Sequence, residues 1–291
     1  MPSLQLPFRH DRLTDPPRTT VVDAVGRWVA TFTDGAHSVA VRGRFRTFRE
    51  PGTRATVRHD VWVRLLPAPF AGTVDGSWLQ TALASQADDV LAVAMQYVAL
   101  APSRFDQSGL RVAGDAEYGP LLPGGGGRAE GSDFNDYLGV AWPYPAGVDE
   151  AEVDQLGSLD CSGFVRMVFG YRLGVPLGQR GSRSALPRRA KMQYQKAPGV
   201  ILIRNDGVQA TAYGRLQPGD LVFFDADAGD GTAIDHVGIY LGRDTAGNER
   251  FVSSRKAANG PTMGNRRGSS TLNPSDASAL YARAFRAARR L

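Results

Sequence analysis

The sequence predicts an α+β fold in which one helix comes first and a run of strands follows, with a small β-rich unit ahead of both. Three observations carry this. Leu159–Gly170 is apolar along one helical face through Phe164, Val165, Val168 and Phe169. Three short apolar runs follow, Leu221–Phe224, His236–Leu241 and Arg250–Ser254, each introduced by a turn signal. Part of Val57–Leu65 alternates apolar and polar, as a half-buried strand does. A helix followed by strands argues against alternating β-α-β units.

Taken in order, residues 1–18 hold four prolines and several charges and read as an extended arm. Residues 19–75 read as the β-rich unit, with strands over Thr19–Val25, Trp28–Phe32, Ser38–Val41 and Thr56–Arg64. The turn signals Asp34-Gly35 and Pro51-Gly52 separate them. Residues 76–291 read as a second domain. Ser77–Val98 places Trp78, Leu79, Leu83, Val90, Leu91, Ala94, Met95 and Val98 at helical spacings, and Pro102 stops it. An insertion spans about 103–158, with the glycine run Gly124–Gly127 and the aromatics Phe134, Tyr137, Trp142 and Tyr144. Those aromatics line a groove or form core; the sequence leaves both open. The first late strand follows the turn Gln217-Pro218-Gly219-Asp220, and the third follows Ala246-Gly247-Asn248. By periodicity Tyr281–Leu291 is a helix.

With 291 residues, 42% of them hydrophobic, the chain can bury a real core. The net charge of +5 is carried by arginine and implies weak attraction to anionic polymers, or a solvated basic surface. No block of five like charges exists, so no nucleic-acid partner is expected. One cysteine rules out an internal disulfide framework. No basic start leads into an apolar run, so a secretory leader is not expected, and no apolar stretch of about 18 residues predicts a membrane span. The protein is expected to stay where it is made or to leave by a route not visible in the sequence. No cofactor or metal is expected. His10, His37 and His59 have no second cysteine near them. Asp225, Asp227, Asp230 and Asp235 lack a calcium-loop pattern, and the glycine run lacks the Lys and Ser/Thr of a phosphate loop.

A lone cysteine is usually a small buried apolar residue. Cys161 differs in context: it follows Asp160, a capping residue, at the expected start of a helix. The N–H groups and partial positive charge there favour thiolate and can hold an oxyanion. Gly163 would let substrate approach. His236 opens an apolar strand, where an imidazole can face a cleft and take a thiol proton near neutral pH. A hydrogen-bonded structural histidine is the alternative. The basic cluster Arg250, Arg255, Lys256, Arg266 and Arg267 holds a substrate carboxylate or is plain solvated surface.

Three ordered motifs resemble a known family. Leu159-Asp160-Cys161-Ser162-Gly163-Phe164-Val165 resembles the nucleophile motif of the NlpC-type cell-wall peptidases. Leu216–Phe224 resembles the strand before their histidine, and Asp235–Gly242 their histidine strand. Leu186-Pro187-Arg188 with Gln193 resembles the segment between, and Tyr281–Leu291 their closing strand. The resemblance covers roughly residues 90–291. It implies a papain-like core, with the nucleophile's helix packed on an antiparallel sheet, and hydrolysis of amide bonds in peptidoglycan stem peptides next to D-glutamate and diaminopimelate. It implies Cys161 as nucleophile and His236 as base. The family's orienting residue falls on Ser253, a departure from its usual His, Asn or Gln; Ser254 and Asn259 are the alternatives. The family's Tyr-x-x-Gly-Gly stretch close upstream is a second departure: the long interval offers Tyr118, Tyr137 and Tyr144 for the tyrosine lining the site, with Tyr118, followed by Gly119-Pro120, preferred, and Asp160, Ser162 and Gly163 would border substrate. An amidase or acyl-transferase on another amide, and a non-catalytic binding module, are the competing functional readings.

Overall fold

The computed structural model describes residues 8–180, 184–227, 229, 231–273 and 279–291. Its N-terminal part is one antiparallel sheet whose strands pair in sequence order: β1 Arg9–Thr14, β2 Pro17–Val22, β3 Trp28–Thr33, β4 Ser38–Phe48 and β5 Val57–Leu65. The β-rich unit is therefore present, but it begins before Thr19. From Arg9 onward the expected arm is a strand, with Arg9 opposite Val22 and Thr14 opposite Pro17. Its prolines do not break the ladder because Pro16 sits in the turn and Pro17 opens a strand, where proline is tolerated. Residues 1–7 lie outside the described residues. Val21, Val29, Phe32, Val39 and Val41 face one side and bury Leu79 and Ala82 of α1, Gly76–Ala84.

The single helix expected over Ser77–Val98 is two helices. α1 ends at Ala84, and α2, Val90–Ala94, starts afresh before a short 3-10 turn at Met95–Tyr97. Asp89 makes the break. Its carboxylate accepts from the Ala92 N–H, capping α2, and from the Val63 N–H at 2.6 Å, and it pairs with Arg46 at 2.6 Å. A buried carboxylate so committed fixes a new helix start.

The insertion holds two short hairpins, β6 Arg104–Phe105 with β7 Arg111–Ala113 and β8 Trp142–Tyr144 with β9 Gly147–Asp149. Between them lies α3, Phe134–Leu138. Then come α4, Cys161–Val165, continuing as a π-helical turn over Arg166–Tyr171, and α5, Ala190–Lys196. The second sheet is antiparallel and six-stranded: β10 Val200–Ile203, β11 Leu221–Phe224, β12 His236–Arg243, β13 Glu249–Arg255, β14 Gly260–Thr262 and, after the helical turn α6 Leu280–Ala284, β15 Phe285–Arg290. Its order is β10-β15-β11-β12-β13-β14. Residue alternation splits the two faces. Val237, Ile239, Leu241 and Val252 join Phe164, Val165 and Val168 in the main core, so α4 packs on β12 and β13. Phe224, Tyr240, Phe251 and Phe285 form a smaller core on the opposite face.

Tyr281–Leu291 is thus helix only for one turn and strand thereafter. Long-range partners override its periodicity. Arg289 donates to the carbonyls of Tyr194 and Ala197, and Arg290, 2% exposed, pairs with Asp220 at 2.7 Å and donates to Thr33 Oγ1. The same contacts tie the two sheets together, with the Ser38 N–H donating to the Leu291 carbonyl and His59 Nε2 lying 2.9 Å from the Leu241 carbonyl.

Candidate active site

Asp160 sets the start of α4. Extended at φ −71°, ψ −178°, it turns its carboxylate back to accept from the Gly163 N–H at 2.7 Å and the Ser162 hydroxyl at 3.0 Å. Arg188 closes the arrangement, pairing with Asp160 at 2.7 Å and donating to Ser162 Oγ at 2.8 Å. Asp160 is thereby held below the usual carboxylate range despite its burial, chiefly through Arg188. Cys161 comes next, 6% exposed, with its sulfur 3.9 Å from the Asp235 carbonyl at the start of β12.

The thiol does not follow the expectation of a lowered pKa. Burial, then the adjacent Asp160 carboxylate, push it up, and a backbone hydrogen bond from the Val237 N–H only partly opposes them. One N–H that a free helix end would offer, that of Gly163, is already committed to Asp160. Gly163 also departs from its expected role. It is buried, it does not border the cavity at Cys161, and a Cβ there would lie 2.2 Å from the Ser132 carbonyl oxygen. Its missing side chain admits the insertion's backbone rather than substrate. Gly163→Ala is expected to destabilise the protein by about 1–3 kcal/mol, since backbone cannot yield as a side-chain end does. Urea unfolding of the two proteins measures this, and equal midpoints would refute it.

His236 opens β12 opposite Phe224 and is 8% exposed. Its ring sits on the smaller core's face, 5.6 Å from the Phe224 ring and 5.1 Å from that of Tyr281 by centroids. Burial, and after it the cation of Arg255, lower its pKa to about 3. Nε2 lies 3.1 Å from the hydroxyl of Ser253, which is wholly buried. The two alternatives are committed elsewhere: Ser254 donates to the Leu159 carbonyl, and Asn259 Oδ1 accepts from the Tyr118 N–H at 3.2 Å. The hairpin register explains the choice. Ser253 shares its face with Phe251, beside Tyr281 and His236, while Ser254 faces the start of α4 with Val252.

A cavity of about 590 Å³ brings Tyr118, Asp160, Cys161, Ser162 and Arg188 together. A second, of about 600 Å³, shares Gly131, Arg188 and Arg189 with it and extends over Asp136, Asp149 and Glu152. Burial and the neighbouring Glu152 raise Asp136 to about 7. Of the insertion's aromatics, Phe134 and Tyr137 are core, Trp142 packs against that core, and Tyr144 borders the second cavity while receiving a hydrogen bond from buried Arg166. Tyr118 is buried but for 4% and borders the cavity beside Cys161.

The basic cluster divides: Lys256 and Arg267 are exposed, as a solvated surface has it, while Arg250 and Arg255 are buried. Arg250 is buried and paired with Asp244, Lys256 pairs with Glu130, Arg266 lies 3.6 Å from Glu50, and Arg255 is buried with no ion pair among the described residues. In the acidic loop, Asp225 pairs with Arg286 and Asp235 accepts from the Ala226 and Asp227 N–H groups; Asp230 lies outside the described residues. Sequence reasoning gave Arg188 no role, although its motif was visible, and it missed Tyr281 against the imidazole. Neither partner of those contacts is near the other in the chain.

Residues 141–262 match the model of the NlpC/P60 family, which bears out the family resemblance over that segment. That family consists in general of cysteine peptidases acting on peptidoglycan-type peptides. No curated protein matches the chain. Among solved structures, a Staphylococcus aureus protein described as similar to a lipoprotein of the NLP/P60 family aligns at 24% identity with a TM-score of 0.28. The alignment covers 54% of this chain and 38% of that one, so it spans little more than a third of that protein's length.

Proposed function

We propose that the protein is a thiol hydrolase with a papain-like domain over residues 76–291, cleaving amide bonds in peptidoglycan stem peptides through Cys161 and His236. The observation that carries this reading is the placement of the single thiol: at a helix start, bordering a cavity, against the strand that carries a buried and hydrogen-bonded imidazole.

His236 takes the thiol proton as sulfur attacks the scissile carbonyl carbon, giving a tetrahedral oxyanion. The Cys161 N–H is the donor we assign to that oxyanion, because the Gly163 N–H is occupied by Asp160. The C–N bond then breaks, and imidazolium gives its proton to the departing amine. Water, losing a proton to His236, attacks the thioester, and the C–S bond breaks to release the acid and the thiol. Ser253 accepts from the imidazole N–H and fixes the ring, leaving the other nitrogen for the thiol proton. Tyr118 and Ser162 border the bound peptide. Arg189 and Lys191 also border the cavity, and neither makes an ion pair among the described residues. These two exposed cations favour a peptide bearing free carboxylates on their side of the cavity, which Glu130 and Asp235 also border.

Incubation with purified peptidoglycan, with products read by mass, tests the reading. New amine and carboxyl ends within the stem peptide are expected from the wild-type protein and not from Cys161→Ala. Unchanged stem peptides with folded wild-type protein would sink the proposed substrate.

A further inference from the structure

β13 delivers two residues to the imidazole, not one. Ser253 touches it directly. Arg255, two positions on and on the same face, lies under Tyr281: its guanidinium carbon is 5.1 Å from the Tyr281 ring centroid, and that ring is 5.1 Å from the ring of His236. Arg255 is 1% exposed and makes no ion pair among the described residues. Its Nη1 donates to the Gly268 carbonyl at 3.0 Å and its Nη2 to the Arg266 carbonyl at 3.1 Å, while its Nε has no partner. The guanidinium also hydrogen-bonds the Tyr281 side chain, and the acid that acts on it, Glu50, accepts from the Thr262 hydroxyl and the Met263 N–H and lies 3.6 Å from Arg266. A buried cation without a counter-ion is costly, so its placement beside a titrating ring calls for an account.

We propose that Arg255 is a positioning residue for His236: its uncompensated charge, one aromatic ring away, disfavours imidazolium and holds His236 ready as a neutral base. This rests on the reading of His236 as the base. The other groups facing the imidazole do not cancel the effect. Ser253 on β13, Phe224 on β11 and the Tyr281 phenol on α6 are neutral. Of the anions near the ring, Asp160 is already paired with Arg188, and the carboxylate of Asp235, next to His236 in the chain, accepts from the Ala226 and Asp227 N–H groups. Burial acts in the same direction as Arg255. The arrangement also serves the second half of the reaction. An imidazolium that is poorly stabilised is a stronger acid, so it surrenders its proton more readily to the departing amine.

The test reads the ring itself and needs no substrate, so it stands apart from any failure of the proposed activity. In a Cys161→Ala protein, the His236 ring signals are followed by NMR against pH and assigned by their loss in a further His236→Asn variant. The midpoint is expected well below the ordinary histidine value of about 6.5. Adding Arg255→Gln, which keeps an amide donor but removes the charge, is expected to raise it by about one pH unit, and Arg255→Lys to leave it in place. A parent midpoint at the ordinary value overturns the proposal without any Arg255 variant, and so covers the case in which Arg255→Gln does not fold. A folded Arg255→Gln protein with an unmoved midpoint overturns it too. So does an Arg255→Lys protein shifted as far as Arg255→Gln.

Discussion

Cys161→Ala is expected to lower turnover of stem peptides by about 10⁴-fold or more while leaving the protein folded. The chemistry of the proposal runs through one sulfur, and no other thiol in the chain can replace it. The fold should survive because the sulfur contributes little to it. Its hydrogen bonds, to the Asp235 carbonyl at 3.9 Å and from the Val237 N–H, are weak ones to sulfur, and the alanine methyl occupies the same site with a small loss of volume. Cys161→Ser is expected to be equally inactive. A hydroxyl is a far weaker acid than a thiol and a poorer nucleophile, so the imidazole that serves the sulfur does not activate the oxygen in its place. The check is product formation from purified peptidoglycan alongside circular dichroism and thermal melting. Substantial activity in a folded Cys161→Ala protein sinks the mechanism.

His236→Ala is expected to cost about 10³-fold or more, because the thiol, already pushed up by burial, is left with no base. Ser253→Ala removes one neutral hydrogen bond, worth about 1 kcal/mol, and is expected to lower the rate by about tenfold or less. Ser254→Ala should leave the rate near wild type and appear as lost stability, since it strands the Leu159 carbonyl. Rates of the three folded variants on one peptide separate these outcomes. If Ser253→Ala matches His236→Ala, the hydroxyl does far more than orient a ring. The same histidine gives stability a pH dependence of definite sign. The unfolded chain protonates it near 6.5, and the folded protein resists until about 3. The unfolded state therefore binds more protons in that window, and stability falls as the pH drops through it. In His236→Ala this part of the acid sensitivity should be missing from urea midpoints taken between about pH 6.5 and 4.

What the sequence made legible was local. The helix opened by Cys161, the strand opened by His236 and the hairpin that delivers Ser253 are each written within a dozen residues of themselves, in capping, alternation and turn signals. What stayed hidden depends on partners far away in the chain. Asp89 breaks a helix by reaching Val63, Arg188 braces Asp160 across 28 positions, and Gly163 is glycine on account of Ser132. The raised pKa of the thiol is hidden for the same reason: a helix start is visible in sequence, but the burial around it is not. Arg255 read as one of a basic group because nothing in a sequence marks an arginine as buried.

The last strand of the sequence lies inside the second sheet, between β10 and β11. Before it arrives, β10 and β11 each present an open edge, and the wholly buried run Leu221–Phe224 has no neighbour on that side. Arg290 must also be in place before Asp220 finds its cation. The sheet that backs α4 is therefore completed last in time as well as in sequence. A growing chain in which Cys161 and His236 have already emerged still lacks the strand that completes the sheet behind them until synthesis has passed Arg290.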